Sequence, residues 1–181
     1  MSSNRITVRL GQLGEVVGGA TPSTKNPDYW NGDIPWLSPK DLTGYKFRYI
    51  SRGEKNITEE GFNSCSTKML PEGSVLFSSR APIGYCAIAA NPVCTNQGFK
   101  SIVPNENVDP EFLYYLLCAN RDLISVSGSG TTFPEVSGRA MRQIEVLIPE
   151  DSNEQEAIAR ILGSIDGKIE TNIRINDYLA A

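Results

Sequence analysis

The sequence predicts a mixed α/β (α+β) body over residues 1–151 followed by one long α-helix over 152–181, and three observations carry that expectation. Short apolar runs alternate with Gly, Pro and Asn through the first hundred residues, which suits a sheet built from short strands. A single amphipathic stretch with a helix-start signal follows near residue 109. From Ser152 onward Leu and Ile recur at helical spacing.

In chain order, strands are expected at "IPWLS" (34–38), "KFRYI" (46–50), "SVLFSS" (74–79), "YCAIAA" (85–90) and "FKSIV" (99–103). "VDPEFLYYLLCANRDLISV" reads as a helix, with Asp109 as N-cap and Pro110 at the first helical position, where its missing N–H costs nothing. "SGSGTTFPEVSG" is a small-residue loop without periodicity, of the kind that carries function. A last strand, "QIEVLIP", leads into the terminal helix.

Ser152 and Gln155 stand in capping-box register at the start of that helix. Ile158, Leu162, Ile165, Ile169, Asn172, Asn176 and Leu179 then alternate four and three apart, which is an a/d seam, flanked by Ile161, Ile173 and Ile175. At ~1.5 Å per residue the helix is roughly 43 Å long, so part of its stripe is expected to overhang the body. Two outcomes are open at this point: the stripe folds back on its own core, or it pairs with another helix. Asn172 and Asn176 suit the second, because a polar residue in a seam fixes register and partner number at some cost in stability. Gly163 and Gly167 each lower helix propensity by ~1 kcal/mol but permit close approach of a neighbour.

Composition removes several classes of function. No histidine is present, which excludes Ser-His-Asp and Cys-His nucleophiles and most zinc hydrolases. Cys65, Cys86, Cys94 and Cys118 form no C-x-x-C pair and are expected to be buried thiols in a reducing compartment. No run approaches the ~20 apolar residues of a membrane span, and no secretory leader opens the chain, so a cytoplasmic location is expected. Net charge is −4, but residues 1–100 hold 11 Lys/Arg against 8 Asp/Glu while residues 101–181 hold 6 against 13. The two halves are suited to different partners, unless the acidic helical faces serve only solubility.

Three motif-like words fail on chemistry. "GSIDGKI" is one residue short between its glycines for a phosphate loop, lacks the Ser/Thr after Lys168, and sits within the helical stripe. "NPDY" (26–29) has Asp28 where a base-flipping methyltransferase has a second proline, and no glycine-rich cofactor turn precedes it. Asp166 and Lys168 have nuclease spacing only within a helix, where positions two apart diverge. No covalent chemistry and no metal site are therefore expected of this chain.

A series of words in order does carry a resemblance: "LGEVVGGATPS" (13–23), "IPWLSPKDL" (34–42), "PEGSVLFSS" (71–79), "IGYCAI" (83–88), "TNQGF" (95–99), "FLYYLL" (112–117), the Gly/Thr loop at 127–133, "VLIP" (146–149) and "EQEAIARILGSID" (154–166). Over nearly the whole chain this resembles one target-recognition domain and one helical region of a type I restriction-modification specificity subunit. The resemblance implies a double-stranded DNA reader without its own active site. It implies docking on adenine methyltransferase subunits that carry S-adenosylmethionine, with motor-nuclease subunits, and ATP and Mg²⁺ with them, joining for restriction. It also implies that the terminal helix is a spacer paired in antiparallel fashion as a coiled coil. Family members commonly carry two of each region, whereas this chain has one of each. Two copies would then pair as a homodimer and read a palindromic split site, or the chain would be a fragment of a longer product.

Base edges are read by Arg or Lys on guanine, Asn or Gln on adenine, and Ser or Thr on either. Ser38, Lys40, Ser79, Arg80, Asn96, Gln97, Lys100, Thr131, Thr132 and Arg139 are the candidates by chemistry and loop position. Asn96 and Gln97 also fall in a family word and so have a structural alternative. Trp36, within Ile-Pro-Trp-Leu, is expected in the core rather than as a stacking platform. Two rival readings remain at this level: a coiled-coil scaffold whose sheet domain binds protein, and an enzyme working through carboxylates alone, for which no spacing singles out a pair.

Overall fold

The structure is a computed structural model and describes residues 4–80, 82–128 and 134–180. Its elements are β1 (Arg5–Arg9), α1 (Leu10–Leu13), β2 (Gly14–Gly18), β3 (Trp30–Leu37), β4 (Tyr49–Ile50), β5 (Lys55–Ile57), α2 (Glu59–Asn63), β6 (Val75–Phe77), β7 (Cys86–Ala89), β8 (Cys94–Thr95), β9 (Lys100–Pro104), α3 (Pro110–Ala119), α4 (Arg121–Val126), α5 (Gly138–Gln143), β10 (Glu145–Pro149) and α6 (Ser152–Leu179).

Three sheets result, ordered β2-β9-β6-β7-β4, β5-β3-β8 and β1-β10. β6 is apolar at every position because it is buried on both faces. Val75 and Phe77 point into a cluster with Phe112, Leu113, Leu116 and Leu117 of α3, whereas Leu76 points into a second cluster with Leu37, Leu42, Ile50 and Phe99. Burying a leucine such as Leu113 or Leu117 contributes ~1.5–3 kcal/mol, and this alternation is what fastens α3 to the sheet. A third, smaller cluster gathers Trp36, Ile57 and Cys94 where β3 meets β5 and β8. Trp36 is buried, as its surroundings predict, and its indole N–H donates to the Ala20 carbonyl at 3.0 Å.

β1 and β10 join the two ends of the body, pairing Arg5 with Pro149 and Arg9 with Glu145. The terminal helix therefore leaves from a fixed point. Its N-cap is Asp151, not Ser152: the Asp151 carboxylate accepts the Asn153 N–H at 2.9 Å, and Gln155 turns back to donate to the Pro149 carbonyl. A carboxylate is favoured there because the first turn carries the positive end of the helix dipole. The helix expected from residue 109 is capped by Asp109 as predicted but ends at Ala119, where Asn120 donates its side chain to the Leu116 carbonyl and α4 restarts.

The thiols divide. Cys94 is buried, and that burial pushes its pKa up to about 11, which makes it a poor nucleophile. Cys118 is exposed on α3, contrary to the expectation of uniformly buried cysteines. No helix among the described residues is long and apolar enough to cross a membrane.

The face that α6 turns to the body is polar and small. Gly163 backs onto the Arg48 guanidinium and the Glu111 carboxylate, Asp166 accepts the Tyr115 hydroxyl at 2.7 Å, and Glu170 accepts from both the backbone and side chain of Arg48. Arg174 lies over the Phe47 ring at 5.3 Å. Contact thus runs along the helix as far as Arg174, and only its last turns, with Tyr178 and Leu179, extend past the body. The apolar stripe faces outward instead: Leu162 is 37% exposed, Ile165 51%, Ile169 49% and Leu179 75%. Asn172 and Asn176 share that exposed side. Ile158 departs from the seam, because it is half-buried and packs on the core beside Ala159.

Candidate nucleic-acid interface

One edge of the body collects most of the residues chosen for their chemistry. β9 starts where β2 and β6 end, because Gly18 pairs with Lys100 and Ser78 with Phe99 in antiparallel register. β3 and β8 finish at the same edge, running parallel with Leu37 opposite Thr95. The chain therefore exits or enters the sheets here five times, and the loops at 19–24, 38–43 and 96–99, with residues 79, 80 and 82–84, form a common rim.

Arg80, Gln97 and Lys100 stand together on that rim. Lys100 donates to Glu135 Oε1 at 3.2 Å and to the Gln97 carbonyl at 3.3 Å, and Arg80 lies 3.7 Å from the other Glu135 oxygen. Gln97 is exposed and its side-chain oxygen accepts the Thr21 hydroxyl. Lys40 is exposed and bridged to Glu54 at 2.9 Å, and that bond with its charge holds the ammonium above its ordinary pKa. Arg139 is exposed in the first turn of α5.

Other candidates are committed to structure. Ser79 is fully buried, with its hydroxyl donating to the Gly98 carbonyl at 3.1 Å and its own carbonyl accepting the Val136 N–H. It cannot touch a base, so the reading of Ser79 as a DNA contact is corrected: β6 ends at Phe77, but Ser79 is held inward by backbone bonds to Gly98 and Val136. Ser38 donates both its N–H and its hydroxyl to Asp41, fixing the turn at Pro39–Leu42. Asn96 accepts the Gly98 N–H at 2.8 Å, the local turn that asparagine supports. Thr131 and Thr132 lie outside the described residues.

Glu135 was not among the residues singled out, and it organises the rim. Its carboxylate holds two cations at once and lowers the free positive charge of the cluster by one. The only trace in the sequence was its place beside the Gly/Thr loop; its position opposite Arg80 is tertiary. Glu135→Gln is expected to raise affinity for arbitrary duplex several-fold, and to steepen the dependence of log affinity on log salt by up to ~0.9 per phosphate gained. A salt titration with sequence-unrelated duplex measures both, and an unchanged slope would mean that neither freed cation reaches a phosphate.

Among the described residues no group of three or more His, Cys, Asp or Glu could hold a metal ion.

Known proteins place these features in context. Residues 3–180 match the family model described as the type I restriction modification DNA specificity domain. The chain is 48% identical over 174 residues to the type I restriction enzyme MjaIX specificity subunit of Methanocaldococcus jannaschii, covering 94% of this chain and 40% of that protein. It is 30% identical over 164 residues to the EcoR124I/EcoR124II specificity subunit of Escherichia coli, covering 87% and 40%. The HsdS subunit of Thermoanaerobacter tengcongensis superposes with a TM-score of 0.69 at 19% identity, over 94% of this chain and 39% of that one. A chain from a structure of a type I R-M system superposes with a TM-score of 0.71 at 21% identity, over 97% and 41%. The chain thus spans about 40% of the length of the curated relatives it matches.

Proposed function

Because this chain belongs to the family of type I restriction-modification DNA specificity domains, we propose that it reads one half of a bipartite DNA target and performs no chemistry itself. In this reading residues 1–151 recognise DNA through the rim, and residues 152–181 supply a helix that pairs in antiparallel fashion with the same helix of a second copy. Adenine methyltransferase subunits with S-adenosylmethionine, and motor-nuclease subunits with ATP and Mg²⁺, carry the reactions. A twofold pair of half-readers directs them to a split palindromic site.

The observation that carries the proposal is the orientation of α6. Its polar face is spent on its own body and its apolar seam is left to water, a state that a helix avoids by pairing. The rim supports the DNA half: Arg80 and Gln97 have the donors and acceptors that base edges require, on loops held by a rigid sheet edge.

Modified-base sequencing of DNA from cells making a methyltransferase subunit with and without this chain tests the proposal. A chain-dependent, split, palindromic adenine-methylation pattern is expected. An asymmetric pattern would assign the second half-site to a different reader, and an active complex with no chain-dependent pattern would overturn DNA specificity. Arg80→Ala in the same assay is expected to weaken the specific site by about tenfold while leaving arbitrary duplex less affected. An equal loss on both would reduce Arg80 to a phosphate contact.

A further inference from the structure

The start of β3 carries a bulge that the rim does not use. Trp30 and Ile34 both pair with Ile57, so Asn31, Gly32 and Asp33 loop out between them. Asn31 is exposed and has a φ of 64°, and it is the one non-glycine residue with positive φ among those described. Its side-chain amide has no partner among the described residues.

The support behind Asn31 is rigid. The Trp30 indole N–H donates to the Ser23 carbonyl at 3.2 Å, and its ring stands edge-on to Trp36 with centroids 5.2 Å apart. The Lys55 ammonium is held over the Trp30 ring at 5.3 Å. Thr24, Trp30, Asn31 and Lys55 line a hollow of about 250 Å³. Gly32 locks the bulge, since a Cβ there would fall 2.6 Å from the Ile57 carbonyl. Within the segment 20–23, whose Ala20 and Ser23 carbonyls accept the two indoles, Thr21 donates its hydroxyl to Gln97 on the rim.

We infer that Asn31 is a base-reading residue whose amide takes an adenine edge in the major groove, donating to N7 and accepting from N6, while Lys55 beside it meets the backbone phosphate. The inference rests on the DNA-recognition reading above and adds to it a second contact point next to the rim. An asparagine amide offers the one donor and one acceptor that adenine presents side by side. A turn alone does not need that amide, because glycine adopts the same backbone at no steric cost.

Selection from randomised duplexes at fixed salt by the full-length subunit assembled with its methyltransferase partners tests this. Asn31→Gly keeps the backbone, and equal melting temperatures verify that it does. It is expected to lose about tenfold preference at one adenine position and nowhere else. Asn31→Asp, with acceptors only, is expected to move that position toward cytosine. A wild-type sequence pattern retained in Asn31→Gly, or a uniform loss across all sequences, would overturn base reading by Asn31 and leave the rim standing. A wild-type complex that selects no sequence would overturn the recognition reading and this inference together.

Discussion

Ile165→Asp, and in parallel Leu162→Asp, is expected to turn the proposed dimer into a monomer while the body that precedes the helix melts as before. Both side chains are more than a third exposed in the single chain, so a polar substitution there is worth no more than ~0.5 kcal/mol to its folding. In a paired seam the same carboxylate loses its water without gaining a partner. Twofold symmetry places it in the interface twice, and each unpaired ion costs several kcal/mol in effect. That exceeds what a single helical pair of this length can spare. Sedimentation equilibrium with a thermal melt on the same samples separates the two effects. A dimer that survives either change would place the pairing surface elsewhere. A fall in melting temperature comparable to that of a core substitution would mean that the stripe belongs to the body. Asn172→Leu gives the complementary result: a tighter but less uniquely registered pair, as expected when a polar seam position is made apolar.

The stripe was legible because a seven-residue pattern survives without knowledge of the fold. Which way it faced was not legible. Gly163 and Gly167 read only as sites of close approach by an unspecified neighbour, and their meaning, with that of Asp166, depends on Arg48, Glu111 and Tyr115 arriving from distant segments. The same division applies to the sheets. Val75–Phe77 announces itself as an apolar run and Lys100–Pro104 by its Ile-Val pair, but nothing local indicates that Arg5–Arg9 pairs with Glu145–Pro149 or that β3 and β8 run parallel. Helices of four to six residues, such as α1, α2 and α5, are too short to show a helical period.

On the rim, chemistry named residues that the fold brings together, and the fold decided their contacts. Arg80, Gln97 and Lys100 converge because three strands end together, whereas Ser79, chemically equivalent to any loop serine, is drawn into the core by the Gly98 carbonyl. Asn31 was invisible for the opposite reason. It lies just ahead of the strand expected at 34–38, and only the shared pairing of Trp30 and Ile34 with Ile57 reveals the bulge.

Arg48→Ala is expected to release the helix that carries the seam. The Arg48 side chain is 12% exposed and is shared by two carboxylates: Nη1 donates to Glu111 Oε1 at 2.9 Å, and Nε with the Arg48 backbone N–H donates to Glu170 Oε1 at 3.3 and 2.9 Å. Among the described residues, removing the guanidinium leaves Glu170 with only the backbone N–H of residue 48 and Glu111 with only the Tyr49 hydroxyl. Breaking a buried pair costs ~3–5 kcal/mol, and because Glu111 retains some water the lower end applies, about 3 kcal/mol. For a domain of this size that is ~6–12 °C in melting temperature. Faster amide exchange should concentrate in residues 163–174. The latch also sets the sign at Gly163. A Cβ there would fall 2.9 Å from Arg48 Nη1 and from Glu111 Oε2, so in the native background Gly163→Ala sets its ~1 kcal/mol gain in helix propensity against displacement of the ion pair. With Arg48 already replaced by Ala, the obstruction is gone and Glu111 can swing toward solvent. Gly163→Ala should then stabilise by close to the full propensity gain. A double-mutant cycle read by thermal melts tests the coupling: strict additivity of the two substitutions would show that a Cβ at position 163 does not disturb the ion pair, and an unchanged melt of Arg48→Ala alone would show that the latch does not hold the helix.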